Sequence, residues 1–205
     1  MAEFLGNIPF LTIIYLMPLC AVIALFFIPG TNHKAVKVVS LVFSVLSFIM
    51  SLLLFISYDY KKGGLQFVEH FDWIPAIGVN YFMGVNGINV ALVLLTGIII
   101  TAGILASWDL NYRPKEFFIL LLTLTTGVYG VFMTYNLFLF FLFYEIAVLP
   151  MYLLIGIWGT GDKEYAAMKL TLYLLVGSAL ILAGLLGIYF ATGLHTFDFD
   201  KIEQF

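Results

Sequence analysis

One acid and one proline interrupt the apolar run NLFLFFLFYEIAVLPMYLLIGIWG, residues 136–159: Glu145 and Pro150. With a helical rise of 1.5 Å per residue, Glu145 falls about 14 Å inside a span roughly 30 Å thick, close to mid-membrane. An ionisable group at that depth is costly unless it faces a bundle interior, a partner or water, so it marks a functional site. The chemistry open to it is holding and releasing a proton. Its own helical face carries Phe141, Leu142, Val148, Leu149 and Tyr152, of which only Tyr152 offers a hydrogen bond. Pro150 lacks an N–H and crowds the carbonyl of residue 146, which predicts a kink one residue from the acid and suits a hydrated proton path. The competing reading is a neutral, hydrogen-bonded glutamic acid that tethers two helices.

The second candidate is Lys169, about a turn inside the next apolar run, on a face with Tyr165, Ala166, Leu172, Tyr173 and Val176. It is either a relay lysine or one that snorkels to the near surface. If residues 159–163 make a tight turn, helix rise puts Lys169 about 10 Å from Glu145 along the membrane normal, worth roughly 1.7 kcal/mol at an effective dielectric near 20. That is coupling and not a salt bridge, and a bridging water or third residue such as Tyr173 is required.

The elements that must position these groups are membrane helices. Only 10% of the 205 residues are charged and 63% are hydrophobic, whereas a soluble domain carries about 25% charged residues. The chain reads as an all-α integral membrane protein forming one membrane domain, residues 1–205, in contact with the lipid bilayer. Its expected spans are residues 9–28, 36–58, 88–108, 116–135, 136–159 and 165–192. Pro18 predicts a kink in the first span. The uncharged link Thr134-Tyr135-Asn136 makes the fourth and fifth spans a tight antiparallel pair. Ala179, Ala183, Gly187 and Ala191 recur every four residues on the sixth, a ridge suited to close approach by another helix.

Residues 58–89 form the one long polar segment. Gln66 to Trp73 and Gly78 to Met83 can pair as a short β-hairpin through residues 74–77, with Trp73, Tyr81 and Phe82 at headgroup depth. His33, His70 and His195 fall in expected loops, His33 with Lys34 and Lys37 in a basic one, and read as surface residues. Asp109, Arg113 and Glu116 flank a turn and read as solvated.

Several function classes lose support. The formal charge of −3 and the dispersed basic residues argue against nucleic acid as a partner and against a polybasic lipid anchor. Cys20 cannot form an intrachain disulfide alone, and no Cys/His spacing suits a metal, so no metal site is expected. Residues 83–87, MGVNG, lack the lysine and strand–helix context of a phosphate loop. No nucleophile stands beside a base. The amino terminus lacks a basic n-region and a cleavage motif, so the first span is expected to be retained. An outside amino terminus puts Lys34, Lys37, Arg113, Lys115, Lys163 and Lys169 on the inner side and Lys61, Lys62 and Lys201 on the outer, the orientation the positive-inside rule favours.

LFLFFLFYEIAVLPMYLLIGIWG followed by YAAMKLTLYLLVGSALIL resembles the antiporter-like proton-translocating subunits of respiratory complex I (NADH-quinone oxidoreductase), in particular its chain M, or subunit 4. The resemblance extends back through YFMGVNGINVALVLLTGIIITAGILASW and forward to HTFDFDKIEQF. It implies that Glu145 is the family's buried glutamate, which modulates a lysine on a later, broken helix. Lys169 matches a family lysine. It further implies a place in a bacterial inner membrane beside other membrane-arm subunits. The chain itself would bind no cofactor, while NADH or another donor, FMN, Fe–S clusters and quinone serve the complex. Related subunits of multisubunit Na+/H+ antiporters and hydrogenase-linked complexes share the motifs, and a purely structural membrane subunit is a third reading. Family members carry two inverted five-helix repeats after three leading helices, so the chain reads as the amino-terminal part of a longer subunit.

Overall fold

A computed structural model describes residues 9–193 and 196–203, which form seven α-helices and one β-hairpin; His195 lies outside them. The first three elements are α1 Phe10–Phe27, α2 His33–Ser57 and the strand β1 Gln66–Ile74. A 3-10 turn at Pro75–Ile77 leads to β2 Val79–Val85. Then follow α3 Gly87–Ala106, α4 Pro114–Met133, α5 Leu137–Trp158, α6 Lys163–Thr192 and the short α7 Phe199–Glu203. The first six helices are long and apolar enough to cross a membrane, as composition predicts.

Helix starts differ from expectation where a local signal outweighs hydropathy. His33, Lys34 and Lys37 occupy the first turns of α2 and not a loop, because the Asn32 side chain accepts the Ala35 N–H at 3.2 Å and nucleates the helix earlier. Lys37 is consequently buried. α4 opens at Pro114, whose ring suits a first helical turn, and it stops at Met133 because residues 134–136 are taken up in backbone pairing outside the bundle.

α2 contributes a stripe of fully buried serines, Ser40, Ser44, Ser47 and Ser51. Each hydroxyl donates to a carbonyl of its own helix three or four residues back, which removes the cost of burying it. The small side chains let α3 come close: a Cβ at Gly97 would stand 3.0 Å from the Phe48 Cα. α4 and α5 approach more closely still. A Cβ at Gly127 would lie 2.8 Å from both the Ala147 nitrogen and the Phe143 oxygen, and the Phe143 ring fills the space over Gly130.

The hairpin forms with Glu69 opposite Met83, His70 opposite Phe82 and Phe71 opposite Tyr81, and Gly78 in a left-handed conformation completes its turn. His70 is therefore a strand residue, edge-on to Phe82 at 5.2 Å. Every residue of β2 is buried, including Tyr81 and Phe82, while Trp73 on β1 remains exposed. β2 also receives the α4–α5 link, the Tyr135 N–H donating to the Phe82 oxygen at 2.8 Å. That link pairs in turn with residues after α6: Leu137 N–H to Phe197 O at 2.9 Å and Phe199 N–H to Tyr135 O at 3.0 Å. Hairpin, link and carboxy-terminal segment thus make one cap over one end of the bundle.

Two carboxylates fasten this cap. Glu69 accepts the Leu11 N–H at 2.6 Å and the Thr12 N–H at 3.2 Å, ending two orphan donors at a helix start that has no capping side chain of its own. The Thr12 hydroxyl bonds both Glu69 and, at 2.5 Å, the Tyr81 hydroxyl. Burial pushes the Glu69 carboxyl above its ordinary range, and the bonds from Thr12 and Leu11 oppose that rise. Asp198, 1% exposed, accepts from Asn136 at 2.9 Å, Asn80 at 2.7 Å and Lys201 at 3.0 Å. At the opposite end, Lys115 donates to the Phe26 and Ile28 carbonyls of the α1 terminus at 3.2 and 2.7 Å, and Lys163 to Ile157 O at 2.8 Å. Cations at carbonyl-rich helix ends are favourable.

Candidate proton-handling site on α5 and α6

α5 begins at Asn136, whose side chain works in both directions. Its Oδ1 accepts the Phe138 and Leu139 N–H groups at 3.1 and 3.2 Å, and its Nδ2 donates to Asp198. The helix is therefore anchored at its first residue, and Glu145 rides nine residues further along. Pro150 is buried within α5, which continues through it to Trp158. The missing N–H of Pro150 leaves the Ile146 carbonyl without its helical donor, one residue from the acid.

α5 and α6, joined by the turn at residues 159–162, run antiparallel and pack on each other, and one contact beside the turn sets their register there. A Cβ at Gly156 would lie 3.6 Å from the Ala167 Cβ. Near the other end, Phe138 lines one apolar cavity with Leu182, Leu185, Leu186, Tyr189 and Phe190 of α6. Steps of seven and eleven residues return to within about 20° of the same face of a helix. Phe138, Glu145 and Gly156 thus form one stripe on α5, mirrored by Leu185, Ser178 and Ala167 on α6. Those last three are the buried residues of α6 among the described ones.

The Glu145 Oε1 atom is buried and has no hydrogen-bond partner. Shielding such an atom without a partner costs about 1–3 kcal/mol. Tyr152 and Tyr173, the hydroxyls expected to serve it, are 44% and 68% exposed. Lys169 is exposed, with its Nζ 5.7 Å from the centre of the Tyr165 ring. It lies half a helical turn away from Ser178, so on the side of α6 turned from α5. The register places it level with residue 154, about 13 Å from Glu145 along the axis, where coupling at an effective dielectric of 20 is about 1.3 kcal/mol. Glu145 and Lys169 are therefore not brought together within this chain.

The ridge Ala179, Ala183, Gly187 and Ala191 is exposed, as are Leu172, Val176 and Leu180 beside it. No described helix of this chain covers it. Among the described residues no group of three His, Cys, Asp or Glu side chains is placed to hold a metal ion.

Six helices long and apolar enough to cross a membrane, capped by a hairpin and carrying an acid near the middle of α5, make a polytopic membrane bundle. Residues 134–205 match the family model described as NADH:quinone oxidoreductase/Mrp antiporter, TM. This chain has similar curated relatives that are named as chain 4 subunits. It is 38% identical over 197 residues to NAD(P)H-quinone oxidoreductase chain 4 of Acaryochloris marina, covering 95% of this chain and 37% of the relative. To the chloroplastic chain 4 of Chara vulgaris it is 35% identical over 202 residues, covering 98% and 41%. The fold is similar to that of a chain in respiratory complex I from Thermus thermophilus with bound NADH, at a TM-score of 0.81 and 24% identity, covering 94% of this chain and 38% of that one. The chain spans a little over a third of the length of the curated relatives it matches first.

Proposed function

We propose that this chain works in the membrane arm of a complex I type quinone oxidoreductase, where Glu145 takes up and releases protons in step with electron transfer to quinone. The observation that carries the reading is the Glu145 carboxyl at mid-span with a shielded, unpartnered oxygen, in a chain whose relatives are named chain 4 of such enzymes. Moving one charge against the membrane potential costs about 2.3 kcal/mol per 100 mV, so an acid whose charge state responds to a neighbouring group is the right kind of part. Its main partner is a lysine on a later helix of the whole subunit, and Lys169 contributes a weaker, distant charge. The donor, FMN, Fe–S clusters and quinone belong to the complex, and other membrane-arm subunits are the partners. The membrane is a bacterial inner membrane, with the amino terminus and the hairpin outside.

Replacing Glu145 with glutamine in the assembled complex is expected to abolish most proton translocation coupled to quinone reduction while leaving assembly intact, read as protons moved per electron pair in sealed vesicles. Unchanged translocation would overturn the role and leave Glu145 as a helix tether. The matching family description also names Mrp antiporters, which supports a second reading as a subunit of a multisubunit Na+/H+ antiporter. Sodium-dependent proton exchange without quinone-linked electron flow would favour it.

A further inference from the structure

We infer that Glu69 is the outlet of a proton path at the hairpin end of the bundle, served by the Thr12, Tyr81 and Tyr15 hydroxyls arranged in series behind it. The inference rests on the reading of this chain as one that moves protons, and adds the carboxyl through which a proton leaves. Three observations carry it. Glu69 is only partly buried and keeps access to water, while Tyr81 behind it is 9% exposed. The oxygens form an unbroken chain: the Thr12 hydroxyl bonds Glu69 Oε2, the Tyr81 hydroxyl lies 2.5 Å from that of Thr12, and the Tyr15 hydroxyl lies 3.4 Å from that of Tyr81. The chain also descends into the bundle. Tyr15 stands about 7.5 Å inside the start of α1, and its ring meets Phe143 of α5 edge-on at 5.5 Å.

Each hydroxyl has one hydrogen to donate and two lone pairs to accept with, so the charge of Glu69 sets the direction of all three. With Glu69 ionised, Thr12 donates to the carboxylate, Tyr81 to Thr12 and Tyr15 to Tyr81. A hydronium ion in the bundle then gives a proton to Tyr15 as the Tyr15 proton passes to Tyr81, the Tyr81 proton to Thr12 and the Thr12 proton to Glu69. One O–H bond breaks and one forms at each hydroxyl, and every hydroxyl stays neutral. The chain now points inward, with neutral Glu69 donating to Thr12 and Tyr81 donating to Tyr15. Glu69 loses its proton to water, and rotation of the three hydroxyls resets the chain. Burial pushes the Tyr81 hydroxyl above its ordinary value, so no phenolate interrupts the sequence. Glu69 is pulled both ways: burial favours the neutral acid, whereas the N–H bonds from Leu11 and Thr12 favour the carboxylate. That balance suits a group that must take up a proton and give it away. The groups facing it are Leu11, Thr12 and Tyr15 of α1 and Tyr81 of β2, and it forms no ion pair among the described residues.

The test uses the assembled complex in sealed vesicles. Glu69→Gln keeps an acceptor for the start of α1 but cannot take up a proton. Glu69→Gln, Tyr81→Phe and Thr12→Val are each expected to slow coupled translocation roughly a hundredfold, the low end of what a positioned proton carrier contributes. Thr12→Ser keeps the hydroxyl and should run at the parental rate. The infrared carboxyl band of Glu69 is identified as the one lost in Glu69→Gln, and parental translocation should fall as the medium facing the hairpin is acidified through the titration of that band. A parental rate in Glu69→Gln or Tyr81→Phe would overturn the outlet, and so would equal loss in Thr12→Val and Thr12→Ser, which reduces the cluster to a clasp on α1. Loss in Tyr81→Phe beside unchanged translocation in Glu145→Gln would remove the role of Glu145 and keep the outlet, and the opposite pair of results would remove the outlet alone.

Discussion

Asp198 shows how a single carboxylate can carry the order of a loop region. Burial by itself raises the carboxyl, but hydrogen bonds from Asn136, Lys201 and Asn80 outweigh it and hold the group below its ordinary value of 3.8. The sign follows: the stabilisation is present in full above the ordinary value and is lost as pH falls through the lower, folded-state one. Lys201 is 60% exposed, so its charge adds little and the two buried amides matter more. Asp198→Ala is expected to cost about 3 kcal/mol, seen as a lower thermal midpoint of the solubilised complex at neutral pH. The gap between variant and parent should hold down to the ordinary carboxylate value and narrow only as pH falls below it. Glu145 and Lys169 were legible from sequence because charge in an apolar run is conspicuous. Asp198 was not, since one of the partners that give it meaning comes from 118 residues away.

Among the elements, length and hydropathy were enough for all six spans, and alternating aromatics bounded by glycine and proline were enough for the hairpin. The starts of α2 and α4 moved because caps are local chemistry that a hydropathy window averages away. The packing of α4 on α5 was legible only as a short link. Its intimacy comes from Gly127 and Gly130, which in sequence are two glycines in an apolar helix. Gly127→Ala brings a methyl against the backbone of α5, where no side chain can move aside. It is expected to destabilise the pair by about 1–3 kcal/mol, visible as reduced thermal stability and a lower yield of assembled complex. The small-residue ridge on α6 was equally legible, yet it stays exposed, and the buried residues of α6 are Ala167, Ser178 and Leu185 on another stripe.

For the whole molecule, the two ends of the bundle differ in chemistry. One is a hydrogen-bonded cap of hairpin, link and carboxy-terminal segment. The other is a set of short turns in which Lys115 and Lys163 sit against helix-terminal carbonyls. The proposed orientation puts the cap outside, and labelling checks it. In a Cys20→Ser background, Lys62→Cys is expected to react with a membrane-impermeant maleimide in intact cells, and Asp162→Cys only after permeabilisation. The reverse pattern would overturn the orientation.

The bond from Asn136 to Asp198 joins residues 62 apart in sequence, and so closes α5 and α6 into a ring of chain. The far end of that ring is the short turn at residues 159–162. Pinned at both ends, the two helices have lost one mechanical freedom, since neither can slide along the other without unfastening Asp198 or stretching the turn. Bowing and rolling about their own axes remain. With the clasp shut, the motion left to change what Glu145 meets across this pair is a roll of one helix against the other.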